Sequence, residues 1–104
     1  MIILVVEPNK NPYLKQIDGS LKSMQEIVGG QIQAIYPFED EVALICNEEG
    51  KLIGLPINRF LMYDGMVKDI VVGTFFLCGC PSDSESFVSL TDKQLKIFTE
   101  MFSL

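Results

Sequence analysis

The sequence predicts an α+β domain, a small and mainly antiparallel sheet with two helices, in the order β-β-α-β-β-β-β-α. Three observations lead there. Short apolar runs, each stopped by proline, glycine, asparagine or acidic residues, read as strands. Two amphipathic stretches, each opened by a serine or threonine, read as helices. And 104 residues are enough for one core but not two, so residues 1–104 form a single domain. The helices are expected to cover one face of the sheet.

Ile2 to Glu7 is a β-branched run stopped by Pro8, Asn9, Asn11 and Pro12, hence a buried strand and a loop. Tyr13 to Ile17 alternates loosely and reads as a second, shorter strand. Ser20 is the expected N-cap of a helix whose Leu21, Met24, Ile27 and Val28 share one face, with Gly29-Gly30 at its C-terminus. Gln31 to Tyr36 alternates polar and apolar residues, a strand with one wetter face, and Val42 to Cys46 is apolar throughout, a central strand. Asn47 to Gly50 is a tight turn leading into a hairpin strand over Lys51 to Leu55. Pro56 ends that strand, Ile57 to Met62 fits one short helical turn, and Tyr63-Asp64-Gly65 is a turn. Asp69 to Cys78 is the strongest strand signal, with Gly73 inside it marking a bulge or a close backbone approach. Thr91-Asp92-Lys93-Gln94 has the form of a capping box, flanked by Leu90 and Leu95 in the staple positions. Leu95, Phe98, Met101 and Phe102 supply the apolar stripe of the final helix.

Hydrophobic residues make up 48% of the chain and charged residues 21%. A mean hydropathy of +0.29 is high for so short a chain. A domain of this size has much surface for its volume, so some apolar residues stay exposed and a homo-oligomer or partner interface is expected. Eight basic against fourteen acidic residues leave a net charge of −6, which opposes direct nucleic-acid binding. Acidic residues cluster at Glu39-Asp40-Glu41, Glu48-Glu49 and Asp83 to Glu85. They read as solvated loops, ahead of a display of carboxylates that mimics DNA. No apolar run is long enough for a membrane span, and Met1 to Val6 is too short for a signal segment. Three cysteines, an odd number, fit a reducing compartment, so a cytoplasmic location is expected.

Histidine is absent, which removes the usual general base near neutral pH and the commonest metal ligand. No catalytic spacing of carboxylates or lysines takes its place, so the chain reads as a non-enzyme with no catalytic residues and no cofactor. Cys78-Gly79-Cys80 with Cys46 gives three thiols where a closed zinc site takes four ligands, so no metal site is expected. Cys46 and Cys78 read as small core hydrophobes and Cys80 as the most exposed thiol. Asn58-Arg59, following Pro56, is the most informative polar pair, since arginine offers planar bidentate donors for a carboxylate or phosphate. The alternative is a structural arginine paired with Glu48, Glu49 or Asp64. Tyr36, Phe38 and Tyr63 offer an aromatic wall or ordinary core, and Asn47 completes the candidate ligand- or partner-binding set with Asn58, Arg59 and Tyr36.

Several stretches then carry a resemblance: Leu4-Val5-Val6-Glu7-Pro8, Val28-Gly29-Gly30, Ile35-Tyr36-Pro37-Phe38, Val42 to Leu52, Gly54-Leu55-Pro56 with Asn58-Arg59, Ile70 to Phe76, and Ser89-Leu90-Thr91-Asp92. Together they resemble an uncharacterised domain family of phages, conjugative elements and Firmicutes, domain of unknown function 3846. The resemblance spans nearly the whole chain, departing mainly at Tyr63 to Lys68 and Cys78 to Phe87. It implies a mobile-element accessory protein acting in the host cytoplasm, but no catalytic role. The leading expectation is therefore a non-enzymatic binding module that contacts a host or element protein, with counter-defence as a role. The alternatives are a small-ligand or nucleotide binder using Asn58 and Arg59, and an acidic DNA-mimic antirestriction protein.

Overall fold

The structure, a computed structural model, describes residues 1–104. Its elements run β1 (Ile2–Val6), β2 (Tyr13–Gln16), α1 (Leu21–Val28), β3 (Ile32–Ile35), β4 (Val42–Asn47), β5 (Ile57–Tyr63), β6 (Met66–Val72), β7 (Phe75–Gly79) and α2 (Asp92–Met101). Five strands form one antiparallel sheet in the order β2-β1-β7-β4-β3, while β5 and β6 form a separate two-stranded ribbon. The chain is thus an α+β domain with two helices and antiparallel sheets, as its sequence predicts.

The helices do not share a face. Leu4, Val6, Leu44, Leu77 and Phe75 pack with Phe98 of α2 and its C-cap Phe102, while Ile3, Val5, Ala43, Ile45, Phe76 and Cys78 pack with Met24 and Val28 of α1. Successive residues of a strand point to opposite sides, so these two sets are the two faces of one sheet. The register aligns them: Leu4 and Leu44 both face Leu77, and Val5 and Ile45 both face Phe76. All five residues of β7 and all six of β4 are buried, because the sheet is covered on both sides. The layers are therefore α1, the five-stranded sheet, and then α2 with the β5–β6 ribbon.

Both helix starts follow the sequence. Ser20 Oγ accepts from Ser23 N at 3.1 Å, and Gly29 closes α1 in the left-handed conformation. Thr91 Oγ1 accepts from Gln94 N at 3.1 Å while Gln94 Oε1 accepts from Thr91 N at 3.0 Å, a complete capping box.

The strands between the helices are arranged differently from the expectation. Lys51 to Leu55 is not a strand but a coiled turn, closed by Ile53 N to Glu49 O and Leu55 N to Gly50 O, both 2.9 Å. Ile57 to Met62 is not a helical turn but most of β5. Asp64 and Gly65, with φ of 50° and 76°, form a two-residue turn whose twist matches the flanking strands, and this makes β5 and β6 a hairpin. The apolar run from Asp69 to Cys78 is two strands in two sheets. Gly73, at φ 72°, turns the chain between them, and a Cβ there would stand 2.7 Å from Leu55 Cδ1.

Candidate functional site

Asn58 and Arg59 sit where the β5–β6 ribbon meets the five-stranded sheet and the end of α2. Asn58 Nδ2 donates to Val6 O and Gly73 O, both at 2.8 Å, pinning β5 to the end of β1 and to the turn before β7. Its Oδ1 accepts from Arg59 Nη1 at 2.7 Å. All the remaining donors of Arg59 go to main-chain carbonyls. Nη1 also reaches Asn58 O at 3.2 Å, Nη2 reaches Lys10 O at 2.6 Å and Phe102 O at 3.0 Å, and Nε reaches Phe102 O at 3.2 Å. A guanidinium has five N–H groups, and here all five are engaged.

No carboxylate takes part, so the acidic partners expected at Glu48, Glu49 or Asp64 are replaced by backbone acceptors. The reason is local. Phe102 O is a carbonyl at the C-terminal end of α2, where the helix dipole is negative and no basic residue of the last turn is present. Arg59 supplies that cation from the neighbouring strand, and burial pushes its guanidinium below the ordinary value. With Leu104 N donating to Asn11 Oδ1 at 2.8 Å, the end of α2 is tied to the loop between β1 and β2.

Asn47 has a similar structural role on the other side of the sheet. Its Nδ2 donates to Val28 O at 3.2 Å and its Oδ1 accepts from Glu49 N at 2.8 Å, joining the end of β4 to the end of α1. The open cleft beside it, lined by Gln25, Gln31, Glu49 and Ile53, is largely polar. Every buried side-chain nitrogen and oxygen has a partner.

A mostly apolar concavity lies between α2 and β5. It encloses about 610 Å³, and ten of its fifteen lining residues are hydrophobic. Phe98, Phe102 and Leu61 are buried in its floor, and Phe38 stacks edge-on against Phe98 with ring centroids 4.7 Å apart. Around it Phe60, Met62, Tyr63, Ile97, Met101 and Leu104 are all exposed. Met101, expected on the buried stripe of α2, instead stands at this rim, 54% exposed. Arg59 lines the groove, and so do Phe38 and Tyr63 of the expected aromatic wall. Tyr36 lines an adjoining hollow with Tyr63 and Lys68, and Asn47 and Asn58 line neither. The groove escaped the sequence because its walls come from three separated segments whose apolar residues read as core. The Asp64-Gly65 turn was the available signal, since it makes β5 a strand with a free edge.

The thiols are placed for packing. Cys46 and Cys78 are buried on opposite faces of the sheet, and burial, with a smaller contribution from Cys80, pushes the Cys78 thiol up to about 12. Cys80 is half-buried rather than fully exposed, and its thiol is also raised, first by burial and then by Glu41 and Asp40. No three acidic, cysteine or histidine side chains gather closely enough to share a metal. No helix is long and apolar enough to cross a membrane.

Fold and groove define a small α+β domain whose most distinctive surface is apolar. The chain belongs to the family described as Domain of unknown function (DUF3846), whose model matches residues 1–103. No curated protein and no solved structure matches it.

Proposed function

We propose that this domain is a non-enzymatic binding module that works by protein–protein contact through the groove between α2 and β5. One observation carries the reading: an apolar trough of about 610 Å³ continues into six exposed apolar side chains at its rim. Contiguous apolar surface of this kind marks interaction sites, because leaving it in water is unfavourable. The alternative of a nucleotide site at Asn58 and Arg59 loses support, since the donors a phosphate would need are already bonded to the protein. A small apolar ligand is favoured only by volume, which lies within the usual range for such pockets.

The same proposal includes an origin in a phage or conjugative element and action in the host cytoplasm. The sequence resemblance supports the first and three free cysteines are consistent with the second. The partner is then a host or element protein, and counter-defence is a role such contact would serve. Affinity capture from lysate of the encoding cell, with the wild-type chain beside Met101→Glu and Ile97→Glu, tests the reading. A protein captured by the wild type and lost with both variants supports it. Capture that both variants leave unchanged refutes the groove as the contact surface.

A further inference from the structure

We infer that the groove receives an extended segment of the partner, added as a strand to the free edge of β5 and bearing a basic residue beside its apolar ones. This rests on the proposal that the groove is a protein-contact surface, and names what fills it. Five consecutive residues of β5, Arg59 to Tyr63, line the groove. The pairing with β6 shifts register between Leu61 and Met62, and residues from both faces of the stretch, buried Leu61 and exposed Phe60 and Met62, border the groove along the outer side of β5. That edge is unpaired. The ribbon has only two strands, and no backbone group from Phe60 to Tyr63 bonds to anything outside it. Across the groove stand Ile97, Phe98 and Met101, one side of α2, with its C-cap Phe102.

A free strand edge facing a helix across an apolar trough suits strand addition, in which main-chain bonds give affinity and alternate side chains fill pockets. A helical occupant would cover the same apolar area but bury the outward N–H and C=O groups of β5 without partners. Each such group costs about 1–3 kcal/mol, which disfavours the helix. An added strand bonds them instead. The charge follows from Glu39 and Asp40, which line the groove and join neither of the two ion pairs in the chain, Lys10–Glu7 and Lys51–Asp69. Arg59, the one basic residue in the lining, has no donor left to offer. A second copy of the chain would bring its own Glu39 and Asp40 and another net charge of −6, so a basic segment of a different protein is the better fit.

Panning a displayed library of random twelve-residue peptides against the full chain tests this. Enriched peptides should carry apolar residues at alternate positions with lysine or arginine next to them. Synthetic versions should bind at least tenfold more weakly to Met101→Glu and to Ile97→Glu, both at exposed positions and each checked for an unchanged melt. Methylating alternate backbone nitrogens of a peptide should abolish binding in one phase and spare it in the other. Apolar residues spaced three and four apart, with no effect of methylation, would overturn the strand while leaving a protein-binding groove intact. Enrichment of acidic peptides, or of none, overturns the inference. So does a dimer of the chain that Met101→Glu dissolves, which would assign the edge to a second copy. If no peptide is enriched and lysate capture also ignores the variants, the groove reading fails as well.

Discussion

Replacing Arg59 by alanine removes five hydrogen bonds at one point where β5, the end of α2 and the loop between β1 and β2 converge. The bonds are not equal. The bond to Lys10 O is exposed, so water replaces it at little cost. Phe102 is buried and its carbonyl accepts twice, so losing its donor should cost about 1–3 kcal/mol. The half-buried bonds to Asn58 add about 1 kcal/mol, and the cation at the C-terminus of α2 adds about 0.3–1 kcal/mol. The total is about 2–5 kcal/mol. For a domain of this size that lowers Tm by roughly 10–40 °C. Thermal melting by circular dichroism reads it directly. Arg59→Lys keeps the charge but concentrates its donors at one nitrogen, so it should recover about half the loss. Asn58→Ala should couple with Arg59→Ala in a double-mutant cycle, because the two side chains bond each other. A melt within about 4 °C of wild type for Arg59→Ala would mean that these bonds do not hold the fold together, since a loss near 0.5 kcal/mol is what ordinary surface changes give.

Three further outcomes follow from the fold. Phe98→Ala should cost about 3–5 kcal/mol by opening a cavity under α2, against about 0.5–2 kcal/mol for Thr91→Ala, which removes only the cap; denaturant midpoints rank the two. Gly73→Ala should cost more than about 1 kcal/mol in the same assay, because φ is 72° and the new methyl would meet Leu55 at 2.7 Å. Asp18 is held at about 2, chiefly by the backbone N–H of Ser20, at 2.8 Å. A carboxyl depressed on folding adds stability above its unfolded value near 4, and that contribution fades as pH falls toward about 2. Asp18→Asn should therefore flatten the stability profile between those pH values, and melting curves across that range check it.

The helix caps and most of the five-stranded sheet were legible because their signals are local. Ser20, Gly29, Thr91 and Gln94 act on neighbours a few residues away, and Ile2 to Val6 and Val42 to Cys46 are apolar without interruption. That same lack of alternation held a further message: strands with no polar face are covered on both sides, which places the helices on opposite faces. Lys51 to Leu55 misled because its apolar content resembles a strand, yet Leu52 is 84% exposed and the segment closes on itself by backbone bonds. The break at Gly73 depends on Leu55, eighteen residues away, and no window along the chain reveals it. Arg59 shows why the site was harder still. Its partners are carbonyl oxygens, which every residue carries, so nothing in the side-chain pattern marks Lys10 or Phe102 as acceptors.

Hydrogen–deuterium exchange on the complex formed with a captured partner reads directly whether the groove is the contact surface. Exchange should slow in β5 from Phe60 to Tyr63 and from Ile97 to Phe102 at the end of α2, with the exposed β2 edge from Tyr13 to Gln16 unchanged. Protection confined to β2 or to the acidic loops around Glu41, Glu48 and Asp83, with the groove exchanging as in the free chain, would contradict it.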